Sequence, residues 1–486
     1  MADASTRTAG TQDLLTGSIS RALLLFALPT LGSNVIQSLN GSVNAIWIGH
    51  FLGENAIAAT ANANIIMFLM FAAVFGFGMA ATILVGQNFG RRDIDGARRV
   101  FGSALGLFLL LSIVVAVVGW SLSEQILRLL ATPREAFTLA EDYLRIIFIA
   151  MPSSFMTVLL MMGLRGAGDS MTPMWFMALS VALDIALNPV FILGLGPAPA
   201  LGIAGSAVAT AIAGYVSLAA MIAYIYARDL PLRLRGHELA YLKPDPALLR
   251  PIVTKGFPMG LQMVVISTAA LAMVGLVNRE GILTAAAYGV TQQLWTYVQM
   301  PAMAIGAAVS AMAAQNIGAG RWDRVSQITI TGLWYNVAMT GALVALLTIV
   351  DRPALALFIG ADSPAIPLAA RIHLLGGWSF IFFGATFVLF GTMRANGAVV
   401  APLVILFVAM YPVRLGFVHF AYPALGSDAL WLSFPLGSMV ALAMASWAYR
   451  NGDWRKARMI APPDTEECRE SINAESEPAG RFTPTG

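Results

Sequence analysis

The segment Val85 to Arg91 reads VGQNFGR and the segment Ala313 to Arg321 reads AAQNIGAGR, so Gln87, Asn88 and Gly90 recur as Gln315, Asn316 and Gly318. Each copy closes a long apolar run. Pro29 in ALPTLG is echoed by Pro258 in GFPMGL, and Arg165 with Pro173 in LRGAGDSMTP by Arg394 with Pro402 in MRANGAVVAP. All these pairs stand about 228 to 229 residues apart, which reports one duplication of nearly the whole folded chain.

Charge decides what solvent the duplicated unit meets. With 58% hydrophobic and 11% charged residues among 486, there is too little charge to cover a soluble surface of that size. The chain belongs in a bilayer. Apolar runs near the roughly 20 residues needed to cross one fall at 22–45, 56–84, 100–121, 141–163, 171–195 and 203–227. Six more follow at 252–278, 284–311, 328–350, 366–392, 399–422 and 429–449. The expected fold is an all-α membrane protein of twelve transmembrane helices. The single cysteine, Cys468, excludes an intrachain disulfide framework and a cysteine metal cluster. A formal charge of +3, placed near helix ends, suits anionic lipid headgroups rather than nucleic acid.

The polar residues 1–19 lack the apolar centre of a cleavable signal and are expected to stay as a cytoplasmic tail. An N-terminal six-helix bundle then spans 20–227. A polar linker at 228–250 carries Arg233, Arg235, His237 and Lys243, a second bundle spans 251–450, and a tail at 451–486 is expected to be disordered. Loops after the even-numbered crossings carry most basic residues, among them Arg91, Arg92, Arg98, Arg99, Arg165, Arg321, Arg324 and Arg394. By the positive-inside rule both termini are cytoplasmic, in the cell's inner (plasma) membrane. Six crossings return the chain to its starting side. The two bundles are therefore expected to be parallel repeats about a pseudo-twofold along the membrane normal, with a substrate cavity between them.

The repeated QN-x-G, LRGAGDSMTP after the fourth crossing, LNPVFILGLG in the fifth and GIAGSAVAT in the sixth together resemble the multidrug and toxic compound extrusion (MATE) family. The resemblance covers about residues 20 to 450. It implies a V-shaped pair of bundles that exports organic cations or drugs in exchange for protons or sodium ions, with no other cofactor.

Asp184 is the only carboxylate near the middle of any predicted crossing, where an ionised aspartate costs about 2.5 to 3.5 kcal/mol. Such residues are usually functional. Ser180, Asp184 and Asn188 recur every four residues and form one polar stripe. Pro189 adds to it, because a proline there cannot donate to the Ile185 carbonyl. Carboxylate, amide and freed carbonyl suit a small cation, and a buried carboxyl also suits proton uptake and release. The duller reading is an aspartate paired with a neighbouring amide for packing. Similar family members place asparagine first and aspartate four residues later, with a further aspartate where this chain has Asn44. By resemblance, Asn44, Asn188 and Thr210 complete the cluster around Asp184. One carboxylate in place of two weakens a sodium site more than a proton site, which tilts the reading toward protons.

Asn34, Gln37, Asn40 and Asn44 make the first crossing too polar for a lipid-facing surface. They are expected to line the cavity or to bond between helices. In the eighth crossing Tyr288, Gln292, Trp295 and Gln299 form a second stripe, suited to organic cations by the aromatic faces or to plain packing. Twenty-four methionines suit adaptable apolar walls or ordinary core. Arg414 lies inside the predicted eleventh crossing but could reach the outer interface, so a structural role is favoured over a substrate role, and His373 stays ambiguous. The glycines of the two QN-x-G segments read as helix ends and tight turns, and Arg165 and Arg394 as anchors at helix ends. A lipid-linked saccharide flippase is the alternative, disfavoured by the few basic residues visible inside predicted crossings. A membrane enzyme is disfavoured by the lack of HExxH, GxSxG or paired intramembrane aspartates.

Overall fold

The computed structural model describes residues 14–459 except 130, 131, 133, 197, 198, 361 and 362. The disorder expected of residues beyond 459, and most of the N-terminal tail, lie outside the described residues. The first half contains α1 (Ile19–Leu52), α2 (Glu54–Gly90), α3 (Ile94–Leu129), α4 (Arg134–Gly166), α5 (Met171–Leu193) and α6 (Ile203–Ala227). The second contains α7 (Pro246–Asn278), α8 (Ile282–Gly318), α9 (Trp322–Ile349), α10 (Asp351–Ile359), α11 (Ile366–Gly376) and α12 (Ser379–Ala395). It continues through α13 (Val400–Val408), a π-helical turn (Ala409–Leu415), α14 (Gly416–Leu425) and α15 (Asp428–Asn451). Among the described residues there is no strand. A chain this apolar satisfies its backbone inside each segment, so the helix is the form available to it in lipid.

Eleven helical stretches are long and apolar enough to span a bilayer, and α11 with α12, bent by 42°, makes a twelfth. The fold is two six-crossing bundles. Their pseudo-symmetry is visible in the turns: Gly53 after α1 and Gly281 before α8 both hold positive φ, at 80° and 102°, a region glycine enters without strain.

Three details depart from the expected even spans. The tenth crossing breaks at the Gly376–Gly377 pair, where the helix loses its side-chain support. The eleventh carries the π turn around Pro412, whose missing N–H interrupts the hydrogen-bond ladder. The short α10 stands outside every predicted run.

The halves meet at the end where α2 and α8 finish, here called the basic end. Gln87 Nε2 donates to the Ala395 carbonyl at 2.7 Å, and Gln315 Nε2 donates to the Gly166 carbonyl at 2.9 Å. Each glutamine thereby caps the last residue of the other half's fourth crossing, α12 or α4, whose carbonyl has no partner within its own helix. Asn88 stays local, donating to the Leu84 carbonyl, whereas Asn316 donates both to the Met312 carbonyl one turn back and to the distant Leu14 carbonyl. Gly90 and Gly318 do end their helices, yet the left-handed turns fall beyond them, at Arg92 and Gly320. Their role is close approach. A β-carbon on Gly90 would strike the Gln315 carbonyl, and one on Gly318 the Gln87 carbonyl.

The linker between α6 and α7 docks on α3. Arg98 reaches Glu238 at 2.6 Å and the Pro231 carbonyl at 2.8 Å, and Tyr241 donates to Asp95 at 2.8 Å. The Arg235 backbone N–H, and then the Arg98 guanidinium, hold the Glu238 carboxyl below its ordinary value. A depressed folded-state value stabilises this docking above the ordinary glutamate range and loses that contribution as pH falls through the lowered value. Corrected for the intrinsic pH dependence of exchange, amide exchange across Gly236–Leu242 should therefore become faster relative to the unfolded rate as pH falls through that lowered value. In Glu238→Gln the faster exchange should already be present at neutral pH.

Candidate ion and substrate sites

Asp184 lies on α5 with 2% of its surface exposed, and Asn188, one turn on, is fully buried. Packing of α1 and α6 against α5 brings the remaining partners. Asn44 Nδ2 donates to Asp184 Oδ2 at 2.7 Å, and the Thr210 hydroxyl donates to Oδ1 at 2.9 Å. Asn188 Nδ2 lies 3.1 Å from Oδ1, 2.9 Å from the Asp184 carbonyl and 3.3 Å from Asn44 Oδ1. Three helices thus converge on one carboxylate. No hydrogen bond ties Ser180 to the cluster among the described residues, although it shares the helix face.

Every donor to this carboxylate is neutral. None of the ion pairs among the described residues includes Asp184. Charge buried without a counter-ion is costly, several kcal/mol even after relaxation. A proton or a small cation removes that cost. Asn188 Oδ1 is buried beside the carboxylate with no partner, so the cluster also keeps one acceptor free. Thr210→Val should weaken the grip on the carboxylate by about 1 kcal/mol, read as a modest shift in the pH at which infrared spectroscopy sees this carboxyl change protonation.

Two cavities are available to larger ligands. One, with about 1030 Å³ of space, lies between the halves and is lined by Thr30 and Asn34 of α1, Met79 of α2, Gln262 of α7 and Ser310 of α8. Arg165 and Arg394 face it together. Arg394 bonds Gln262 and lies 5.6 Å from the centres of both the Phe387 and Phe390 rings. These arginines are therefore cavity residues as well as helix-end residues, and their recurrence at the repeat offset was the available signal. Gln37 is exposed and lines neither cavity.

The second cavity, about 860 Å³, lies within the C-terminal half and collects the whole α8 stripe of Tyr288, Gln292, Trp295 and Gln299. Tyr288 and Trp295 are buried, and both pack against Phe434 of α15. Trp295 Nε1 donates to His373 Nδ1 at 3.1 Å. Since the Thr348 hydroxyl already donates to the Val344 carbonyl, the remaining imidazole proton belongs on Nε2, facing that hydroxyl. His373 is thus a neutral support for the tryptophan. Arg414 departs from the expected outward reach: it enters this cavity, with its guanidinium carbon 3.4 Å from the centre of the Phe434 ring. The π turn, which hydropathy does not register, presents it there.

A duplicated twelve-crossing bundle with a cavity between its halves and an unpaired carboxylate in one of them has the plan of a secondary transporter. The MatE family model matches residues 29–190 and 258–418, one match in each half, and the chain belongs to that family of multidrug transporters. It is a transporter and not an enzyme. The chain is 35% identical over 444 residues to the probable multidrug resistance protein YoeA of Bacillus subtilis, covering 91% of this chain and 96% of that one. It is 29% identical over 453 residues to the probable multidrug resistance protein YpnP of the same organism, covering 92% and 98%. A solved structure of MATE in complex with MaL6 superposes with a TM-score of 0.83 at 20% identity, covering 91% of this chain and 98% of the other.

Proposed function

We propose that this protein is an antiporter of the inner (plasma) membrane that exports drug-sized organic molecules, organic cations among them. Inward ion flow through Asp184 drives it, and the coupling ion is a proton. The observation that carries this reading is the buried carboxylate ringed by neutral donors alone. Three donors directed at its oxygens favour an ion that binds the carboxylate itself over one needing a cage of oxygens. Ion and substrate then compete for alternative states of the carrier, and the ion resets the emptied one.

One charge moving through about 150 mV releases about 3.5 kcal/mol. That sustains a gradient of roughly a few hundredfold for a neutral substrate. With both termini and the basic end at the cytoplasm, the state described here is one in which the halves meet on the inward side. In everted vesicles, an imposed pH gradient should drive dye accumulation and an imposed sodium gradient should not. Accumulation under sodium alone would reverse the ion assignment.

A lipid-linked saccharide flippase is the second reading. It draws support from Arg165 and Arg394, which make the cavity between the halves more basic than the sequence suggested. Reconstituted transport of a dye set against scrambling of a pyrophosphate-linked lipid separates the two.

A further inference from the structure

Arg414 poses a question that the export reading leaves open. Its Nε is buried without a partner, and Gln292 Oε1, on another residue lining the same cavity, is likewise unpartnered. Each unmet buried donor costs about 1 to 3 kcal/mol, which an acceptor on a ligand would recover. Among the described residues no aspartate or glutamate lines this cavity or the one between the halves. The backbone also invests in this placement. The π turn that carries Arg414 forgoes regular hydrogen bonding, and such turns concentrate at functional sites.

The walls specify the rest of the ligand. Trp295, Phe380, Phe383 and Phe434 line the cavity around Arg414, giving it largely aromatic walls. Contact with the Phe434 ring, 3.4 Å from its centre to the guanidinium carbon, restrains the group, and a guanidinium is a planar fork of donors. A flat fork opposite aromatic walls matches a planar molecule that carries a carboxylate at its edge. An organic cation would meet a like charge here.

We propose that the cavity in the C-terminal half binds aromatic compounds through an acidic group held by Arg414. This inference rests on the reading of the chain as an exporter of organic molecules, and it adds the charge of the group recognised in this cavity.

The test is equilibrium binding of two probes to the purified full-length protein by fluorescence anisotropy. One probe is a rhodamine with a free benzoate, the other the methyl ester of the same dye. The acid should bind at least about tenfold tighter than the ester, as expected for a charged hydrogen-bonded pair. Arg414→Gln should erase that preference by weakening the acid alone, and Arg414→Lys should keep part of it. Equal binding of acid and ester to the unmodified protein, or binding of neither, overturns the proposal without any variant. Equal weakening of both dyes by Arg414→Gln also overturns it, because that is the result of lost packing. Binding needs no ion gradient. If Asp184→Asn leaves export unchanged while the acid preference stands, the coupling assignment fails alone. If the preference is absent and Asp184→Asn still uncouples export, this inference fails alone.

Discussion

Asp184→Asn should reduce uphill dye export in everted vesicles to background while leaving the folded protein at least as stable as before. The substitution keeps the size of the side chain and removes its charge. The three neutral donors around it make no ion pair that the change would break. An ionised aspartate in mid-crossing costs about 2.5 to 3.5 kcal/mol on insertion scales, so its neutral counterpart should not lower the melting temperature. Downhill leakage of dye should survive, because the cavities lie apart from the carboxylate cluster. Export against a gradient at the unmodified rate would remove Asp184 from the coupling step.

Gly318→Val should have the second-largest effect and should act on the conformational equilibrium. The new side chain has nowhere to go in the closed basic end, since its β-carbon would strike the Gln87 carbonyl, which is backbone and cannot swing aside. Overpacking of this kind costs about 1 to 3 kcal/mol. Set against one of two states, that moves their ratio by roughly 5- to 150-fold. Spin labels on cysteines at Asp93 and Asp323, with Cys468 replaced by serine, would read the separation of the two halves. The population with a long label distance should grow at the expense of the short one. An unchanged distance distribution would show that the glycine is not needed for closure.

The architecture was legible because a duplicated chain repeats each of its signals, and an apolar run of about 20 residues has few competing interpretations. Polar residues inside those runs were legible as a group, and the structure gathers Asn44, Asp184, Asn188 and Thr210 into one cluster. Periodicity by itself joined Asp184 only to Ser180 and Asn188, and Ser180 makes no bond to the others. Residues from different helices were harder to read. Gln87 looked like part of a local helix end, whereas its partner lies 308 positions away in the other half. Arg414 was misplaced for a related reason: a long basic side chain inside a predicted crossing can extend towards the interface or turn into the bundle. The π turn that decides the matter leaves no trace in hydropathy. Arg165 and Arg394 were seen as a repeated pair, but only the docking of the halves brings both to one space.

The crossed glutamine bonds bear on how the carrier opens. Gln87 and Gln315 reach over the same pseudo-axis in opposite directions, so a rocking motion about that axis lengthens both bonds together. Neither half can let go while the other stays latched. Parting the halves at this end therefore requires both bonds to break.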